Sequence, residues 1–173
     1  SPEPHACVLL SVLSASTSMH YLSLDSEDVE PGGVHLKTEP PLRSPENRDR
    51  LCKVLCKAGA LQVVGSGETS RAEEECGCLN VDGDFHRAKV SISSIAYTLP
   101  ALWTCAERLG LSIKHVVEWA CARPAHALGL WGRKGGICVG ADADLVLFDE
   151  TRTTGPIDGH CGSMYAGREL RGV

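Results

Sequence analysis

A chain of 173 residues, 43% hydrophobic and 23% charged, is long enough to bury a core without staples and reads as one domain or one and a fraction. Its net charge of −5 offers no basic face to nucleic acid, and every long apolar stretch is interrupted, which excludes a membrane span. Nine cysteines at irregular spacing, with no signal peptide ahead of them, read as mostly reduced thiols of a cytoplasmic protein rather than a secreted disulfide framework. Residue 1 is Ser rather than Met, so the chain is expected to begin inside a longer protein.

In chain order, the apolar run Cys7–Leu13 suits a buried helix or strand. Residues 23–50 read as loop, broken by Pro31, Gly32, Gly33, Pro40, Pro41 and Pro45. A helix is predicted after Ser44 at N-cap and Pro45 at N1, with Leu51, Val54 and Leu55 as its apolar face and Gly59 as its end. Leu61–Val64 is a short buried strand, and residues 71–90 are an exposed excursion. Helices follow from near Leu99 to Arg108 and from Ser112 onward, with a third opened by Pro124 and closed by Gly129. The period then shortens to two, predicting strands at Ile137–Val139 and Leu145–Phe148 around a turn at Gly140.

A search for chemistry finds little. Cys76-Gly77-Cys78 lacks the second pair that a zinc site needs and reads as incidental loop thiols ahead of a metal site. Cys52 and Cys56, at i and i+4, read as small side chains facing the core rather than half a metal site. Gly65-Ser66-Gly67 follows a strand, but no Lys-Ser or Lys-Thr follows it to hold phosphate. His115 and His126 are expected at or near the surface of helices, and His20 faces a functional cleft. Asp142 and Asp144 read as turn caps bonded to their own backbone amides.

The segment Arg133-Lys134-Gly135-Gly136-Ile137-Cys138-Val139-Gly140-Ala141-Asp142-Ala143-Asp144-Leu145-Val146 resembles the KG-x-I-x-x-G-x-DADLV stretch of the metal-dependent amidohydrolases. Pro124–Leu130 is similar to their PA-x-x-x-GL helix. Pro40-Pro41-Leu42-Arg43 with Asn47, and His20-Tyr21-Leu22, resemble elements of the cyclic amidohydrolases. Tyr165–Val173 resembles a stretch typical of allantoinase-like members, with dihydropyrimidinase-like members as the alternative.

The resemblance implies an α/β fold, the C-terminal portion of a (β/α)8 barrel plus part of a small β-sandwich. A whole barrel needs about 250 residues, so this chain would supply the last two strands and their helices over 1–130, with 131–173 returning into an incomplete sandwich. It further implies hydrolysis of a small cyclic ureide of the hydantoin type, in purine catabolism, by two divalent metals, zinc foremost, bridged with a carboxylated Lys. Those ligands would lie upstream of residue 1; one further ligand, an Asp at the end of the last barrel strand, would fall inside this chain, and with glycine in its place no metal ligand is expected here. The full-length relative would be a homo-oligomer, a tetramer. The family's Asp, metal ligand and general base, falls at Gly67, and the following His falls at Glu68. Glycine can neither ligate nor accept a proton, so the chain alone is expected to be inactive, with Glu68 a weak substitute and Gly67→Asp the change expected to restore the carboxylate. His20, Glu39 and Ser91 are substrate-pocket candidates; Glu39 stands where the family has Ser or Cys, and Val90-Ser91 where it has Gly-Gly. Loss of the same Asp also marks non-catalytic dihydropyrimidinase-related scaffold proteins, the alternative reading.

Overall fold

The computed structural model describes residues 15–57, 61, 63–69, 83–90, 93–157 and 163–173. The run Cys7–Leu13, Gly59, the Cys76/Cys78 pair and Ser91 lie outside the described residues.

Two short strands, β1 (Ser16–Ser18) and β2 (Val63–Gly65), pair in parallel, with Ser16 opposite Val63, Thr17 opposite Val64 and Ser18 opposite Gly65. Parallel pairing demands a crossover. Here it carries α1 (His20–Ser23), single 3-10 turns at Ser26–Asp28 and Val34–Leu36, and α2 (Pro45–Cys56). The segment read as loop is therefore anchored, with Val34, Leu36 and Leu42 buried. α2 starts where its sequence predicts, with Ser44 at N-cap and Pro45 in the first turn. The Ser44 hydroxyl makes no cap bond; its carbonyl accepts from Asn47 N and Arg48 N, both at 3.0 Å. The buried face is Cys52 and Leu55, while Val54 is exposed. Of the two thiols expected to face the core, Cys52 does and Cys56 does not, because Cys56 is the last residue of the helix and has run past its neighbours.

Next come a 3-10 turn at Ile95–Tyr97 and α3 (Thr98–Arg108), which buries Ala101, Leu102, Trp103, Cys105 and Ala106. Gly110, at φ +68°, turns the chain, as its position predicts. The next two predicted helices are one continuous run: α4 (Ile113–Val117), a π turn (Glu118–Ala122) and α5 (Arg123–Ala127). The wide turn just ahead of Pro124 lets an interior proline sit without its ring striking the preceding turn. His115 is half-buried and His126 exposed.

Residues 137–148 differ from expectation: neither predicted strand forms. A strand needs a partner for its ladder, and none lies beside this segment among the described residues. Ile137, Val139 and Leu147 are 91%, 108% and 98% exposed. Asp142 and Asp144 are not tied to their own amides either; Asp142 pairs with Arg133 and Lys134, both at 2.9 Å, and Asp144 pairs with Lys134.

Order resumes at β3 (Thr153–Pro156), antiparallel to β4 (Glu169–Arg171) with an irregular register between their ends. This ribbon docks on α3: Arg171 N donates to Thr104 Oγ1 at 2.8 Å. Tyr165, 1% exposed, shares a hydrogen bond with Ser23 at 2.9 Å, and Arg168 pairs with Asp28 at 2.7 Å. One core results, in which Leu22, Leu55, Leu102, Val116, Trp119 and Tyr165 join both ends of the described chain. The fold is a partial α/β assembly: a parallel strand pair covered by helices, with a β-ribbon against α3.

Candidate functional site

Because β1 and β2 run parallel, their carboxyl ends lie side by side. Ligands of parallel α/β sheets collect at that edge. Ser18 and Gly65 end the strands, and His20 and Gly67 follow immediately. A cleft of about 650 Å³ opens there, lined among others by His20, Tyr21, Glu39, Arg43, Asn47 and Gly67. Residues 20, 39 and 67, distant in sequence, thus share one cavity. Val90 also lines it; its neighbour Ser91 is outside the described residues.

Tyr21 shapes the opposite wall. Its hydroxyl donates to the Pro40 carbonyl at 2.7 Å, and burial raises its pKa above the usual phenol value. This bond holds the Pro40-Pro41 segment over the cleft. Ser26 N donates to the Arg43 carbonyl at 2.8 Å, and Arg48 pairs with Asp25, so the Pro-Pro-Leu-Arg element is fixed at both ends. Asn47, in the first turns of α2, is left exposed on the cleft.

His20 is 1% exposed, and neither ring nitrogen has a hydrogen-bond partner. Burial lowers its pKa to about 4, opposed only in part by the nearby Ser66 backbone. The ring is therefore neutral at ordinary pH. Gly67 lies against it at φ +68°. A Cβ added there would sit 2.7 Å from His20 Cε1, 2.7 Å from Ser18 Oγ and 2.9 Å from Ser18 Cβ. The position that the resemblance reserves for a carboxylate can take a side chain only if His20 and Ser18 shift, which counts against Gly67→Asp alone as a restoring change.

Glu68 has another task. Its Oε2 accepts from Ser94 N at 2.6 Å and Ile95 N at 2.8 Å. Ser94 Oγ donates to the Ser66 carbonyl at 3.1 Å, completing the tie. The carboxylate thus caps the helical segment that leads into α3, where exposed N–H groups and the helix dipole favour negative charge. Both oxygen-bearing residues flanking Gly67 are spent on the scaffold. Sequence reading missed this because nothing local links Glu68 to Ser94; only the approach of the β2 end to the start of α3 does.

Metal chemistry asks for clustered donors. Among the described residues no group of three or more His, Cys, Asp or Glu side chains is placed to hold an ion. Glu68 is engaged elsewhere and His20 stands alone, so the donor set described does not fit a two-metal centre.

The amidohydrolase family profile matches residues 19–166, a span that begins just after β1 and carries β2, the helices and most of the cleft. The chain belongs to the amidohydrolase family. It is 37% identical over 166 residues to an allantoinase from Streptomyces avermitilis, covering 93% of this chain and 36% of that protein. An allantoinase from Arabidopsis thaliana is 30% identical, covering 92% of this chain and 32% of that protein. Among solved structures, an L-hydantoinase (dihydropyrimidinase) from Arthrobacter aurescens superposes with a TM-score of 0.79 at 28% identity, over 91% of this chain and 36% of that one. The chain spans about a third of the length of the curated relatives it matches. No described helix is long and apolar enough to cross a membrane.

Proposed function

We propose that this chain is the part of an allantoinase-like cyclic amidohydrolase that walls one side of the substrate cleft. Its ligand is a small, uncharged cyclic ureide of the hydantoin type, as in allantoin breakdown during purine catabolism. In this reading β1 and β2 are the last strands of a (β/α)8 barrel and β3–β4 belong to its return toward a β-sandwich. The full-length protein is a cytoplasmic tetramer whose zinc pair and carboxylated Lys lie upstream. The observation that carries the reading is the cleft itself: two parallel strand ends, the pinned Pro40–Arg43 wall and Asn47 in one cavity.

The residues present favour binding over catalysis. The Asn47 amide offers one acceptor and two donors, which match the alternating N–H and C=O edge of a cyclic ureide. The Glu39 carboxylate on the same wall disfavours an anionic ligand, so the closed neutral ring suits the cleft better than its opened acid. Neutral His20 adds no charge beneath it. With glycine at 67 and Glu68 capping a helix, neither residue at the position of the family's Asp is free to take a proton from water. Ring opening by this chain alone is expected to stay at the buffer rate with zinc added.

Calorimetric titration with hydantoin, dihydrouracil and allantoin tests the reading. Saturable binding is expected, weakened roughly 2–10-fold by Asn47→Ala, the value of about one hydrogen bond. The second reading is a non-catalytic scaffold of the dihydropyrimidinase-related kind, favoured by the filled space at Gly67 and the structural use of Glu68. Absence of binding by all three rings overturns the substrate-wall reading and leaves the scaffold.

A further inference from the structure

Away from the cleft, three polar side chains meet inside the core. Cys52 on α2 and Cys105 on α3 are 0% and 3% exposed, and their sulfurs are 4.0 Å apart. The Arg108 guanidinium reaches both, with Nη2 at 3.9 Å from each sulfur. All three surround the Leu22 carbonyl of α1: Arg108 Nη2 donates to it at 2.9 Å, and the Cys105 and Cys52 sulfurs stand 3.5 and 3.8 Å from it.

Structural cysteines in a core are inert because apolar surroundings suppress the thiolate. This pair sits in different surroundings. A fixed cation touches both sulfurs, and the single carbonyl facing them is already bonded to that cation. Arg108 is itself an exposed residue whose guanidinium points inward, so the thiols stand one side chain from solvent. The hydrogen bond from Cys105, with the Arg108 charge in support, draws the Cys52 thiol down to about 7 against burial and the Asp49 charge. The same contact and burial push the Cys105 thiol up, so the proton is held on Cys105. One thiol is thereby the nucleophile and the other the resolving partner, already in contact.

We propose that Cys52 and Cys105 form a peroxide-sensitive thiol pair that closes to a disulfide between α2 and α3. The oxidant is hydrogen peroxide, small enough to pass the Arg108 side chain. The Cys52 thiolate attacks one peroxide oxygen; the O–O bond breaks, hydroxide leaves, and the sulfur is oxidised to sulfenic acid. The Cys105 sulfur then attacks the Cys52 sulfur; the S–S bond forms, the S–O bond breaks, and the departing hydroxide leaves as water with the Cys105 proton. In sum two thiols and one peroxide give one disulfide and two waters. A sulfur separation of 4.0 Å closes by side-chain rotation toward the bonded distance of about 2.05 Å. The link would lock α2 to α3 beneath Leu22, two residues from His20 in the cleft.

The test is peroxide treatment of the full chain, parent and a Cys76→Ser, Cys78→Ser variant that lacks the Cys-Gly-Cys pair. Blocking of remaining thiols, digestion without reductant and mass spectrometry follow. A peptide joining Cys52 to Cys105, lighter by two hydrogens and released by reductant, is expected. Cys105→Ser should leave Cys52 trapped as sulfenic acid, captured by a dimedone probe. Arg108→Met should slow the first step roughly 5-fold at pH 7, the loss of thiolate when a thiol pKa of about 7 rises by about one unit, while Arg108→Lys retains most of the rate. Cys52 remaining a thiol under these conditions, or joining other cysteines as readily as Cys105, overturns the proposal. The parent-chain map decides it even where a substituted protein fails to fold.

Discussion

Putting a methyl group at Gly67 is the sharpest probe of the cleft floor. In Gly67→Ala the new Cβ meets His20 Cε1 and Ser18 Oγ at 2.7 Å and must also hold φ at +68°. A left-handed backbone costs a non-glycine residue ~1–2 kcal/mol. Forcing an extra carbon into a filled space costs ~1–3 kcal/mol. The sum is ~2–5 kcal/mol, a large share of the ~5–15 kcal/mol that stabilises a typical domain. Urea denaturation measures it as a fall in midpoint at unchanged slope. The clash half is separable: His20→Ala removes one of the two obstructing groups, so the double substitution should recover ~1 kcal/mol or more relative to the sum of the singles. Gly67→Asp carries the same Cβ and should lose at least as much. A Gly67→Ala protein within ~0.5 kcal/mol of the parent, the usual size of a neutral surface change, refutes the reasoning. It would also reopen position 67 to the carboxylate that the family resemblance asks for.

Glu68→Ala removes the acceptor of two backbone N–H groups and should cost ~1 kcal/mol, the ordinary value of a helix cap, by the same denaturation assay. A loss of turnover with no loss of stability would instead place Glu68 in the chemistry. His20 makes stability depend on pH: its folded pKa of about 4 lies below the ordinary 6.5, so the unfolded chain binds the proton more readily. Its contribution is fully present above about pH 6.5 and is lost as pH falls toward 4, by up to about 3 kcal/mol. His20→Leu should flatten that part of the profile, and an unchanged slope refutes the assignment.

What was legible in the sequence was what short-range chemistry controls. Ser44-Pro45 started α2, Gly110 stopped the helix α3, and the run Leu61–Val64 marked the strand that forms as β2 over Val63–Gly65. β1 was not legible, because Ser16-Thr17-Ser18 has no apolar alternation and is held only by its ladder to β2. The π turn before Pro124 was hidden for a similar reason: packing of Val116 and Trp119 keeps the run helical across a residue that ordinarily breaks it. The cleft gathers His20, Glu39 and Gly67: His20 and Gly67 follow the two parallel strand ends, and Glu39 reaches it from the crossover between them. The role of Glu68 was not legible, since its partners Ser94 and Ile95 lie 26 and 27 positions away.

The segment 137–147 shows the converse case, in which local pattern is right about the residues and the fold leaves it unanswered. Ile137, Val139, Leu145, Val146 and Leu147 are residues that favour strands when paired, and all stand exposed. Apolar area of this kind is ordinarily covered. A strand-forming run with unmade backbone bonds is also a template for pairing with another chain. The chain should therefore self-associate and bind a hydrophobic dye such as anilinonaphthalene sulfonate. Val139→Lys with Leu147→Lys should reduce both effects. It should leave the urea midpoint within about 0.5 kcal/mol of the parent, because side chains 108% and 98% exposed contribute little packing. Light scattering and dye fluorescence on the two proteins decide the matter. A monodisperse monomer that takes up no dye would mean the run is covered within its own chain, and the double lysine substitution would then unfold it.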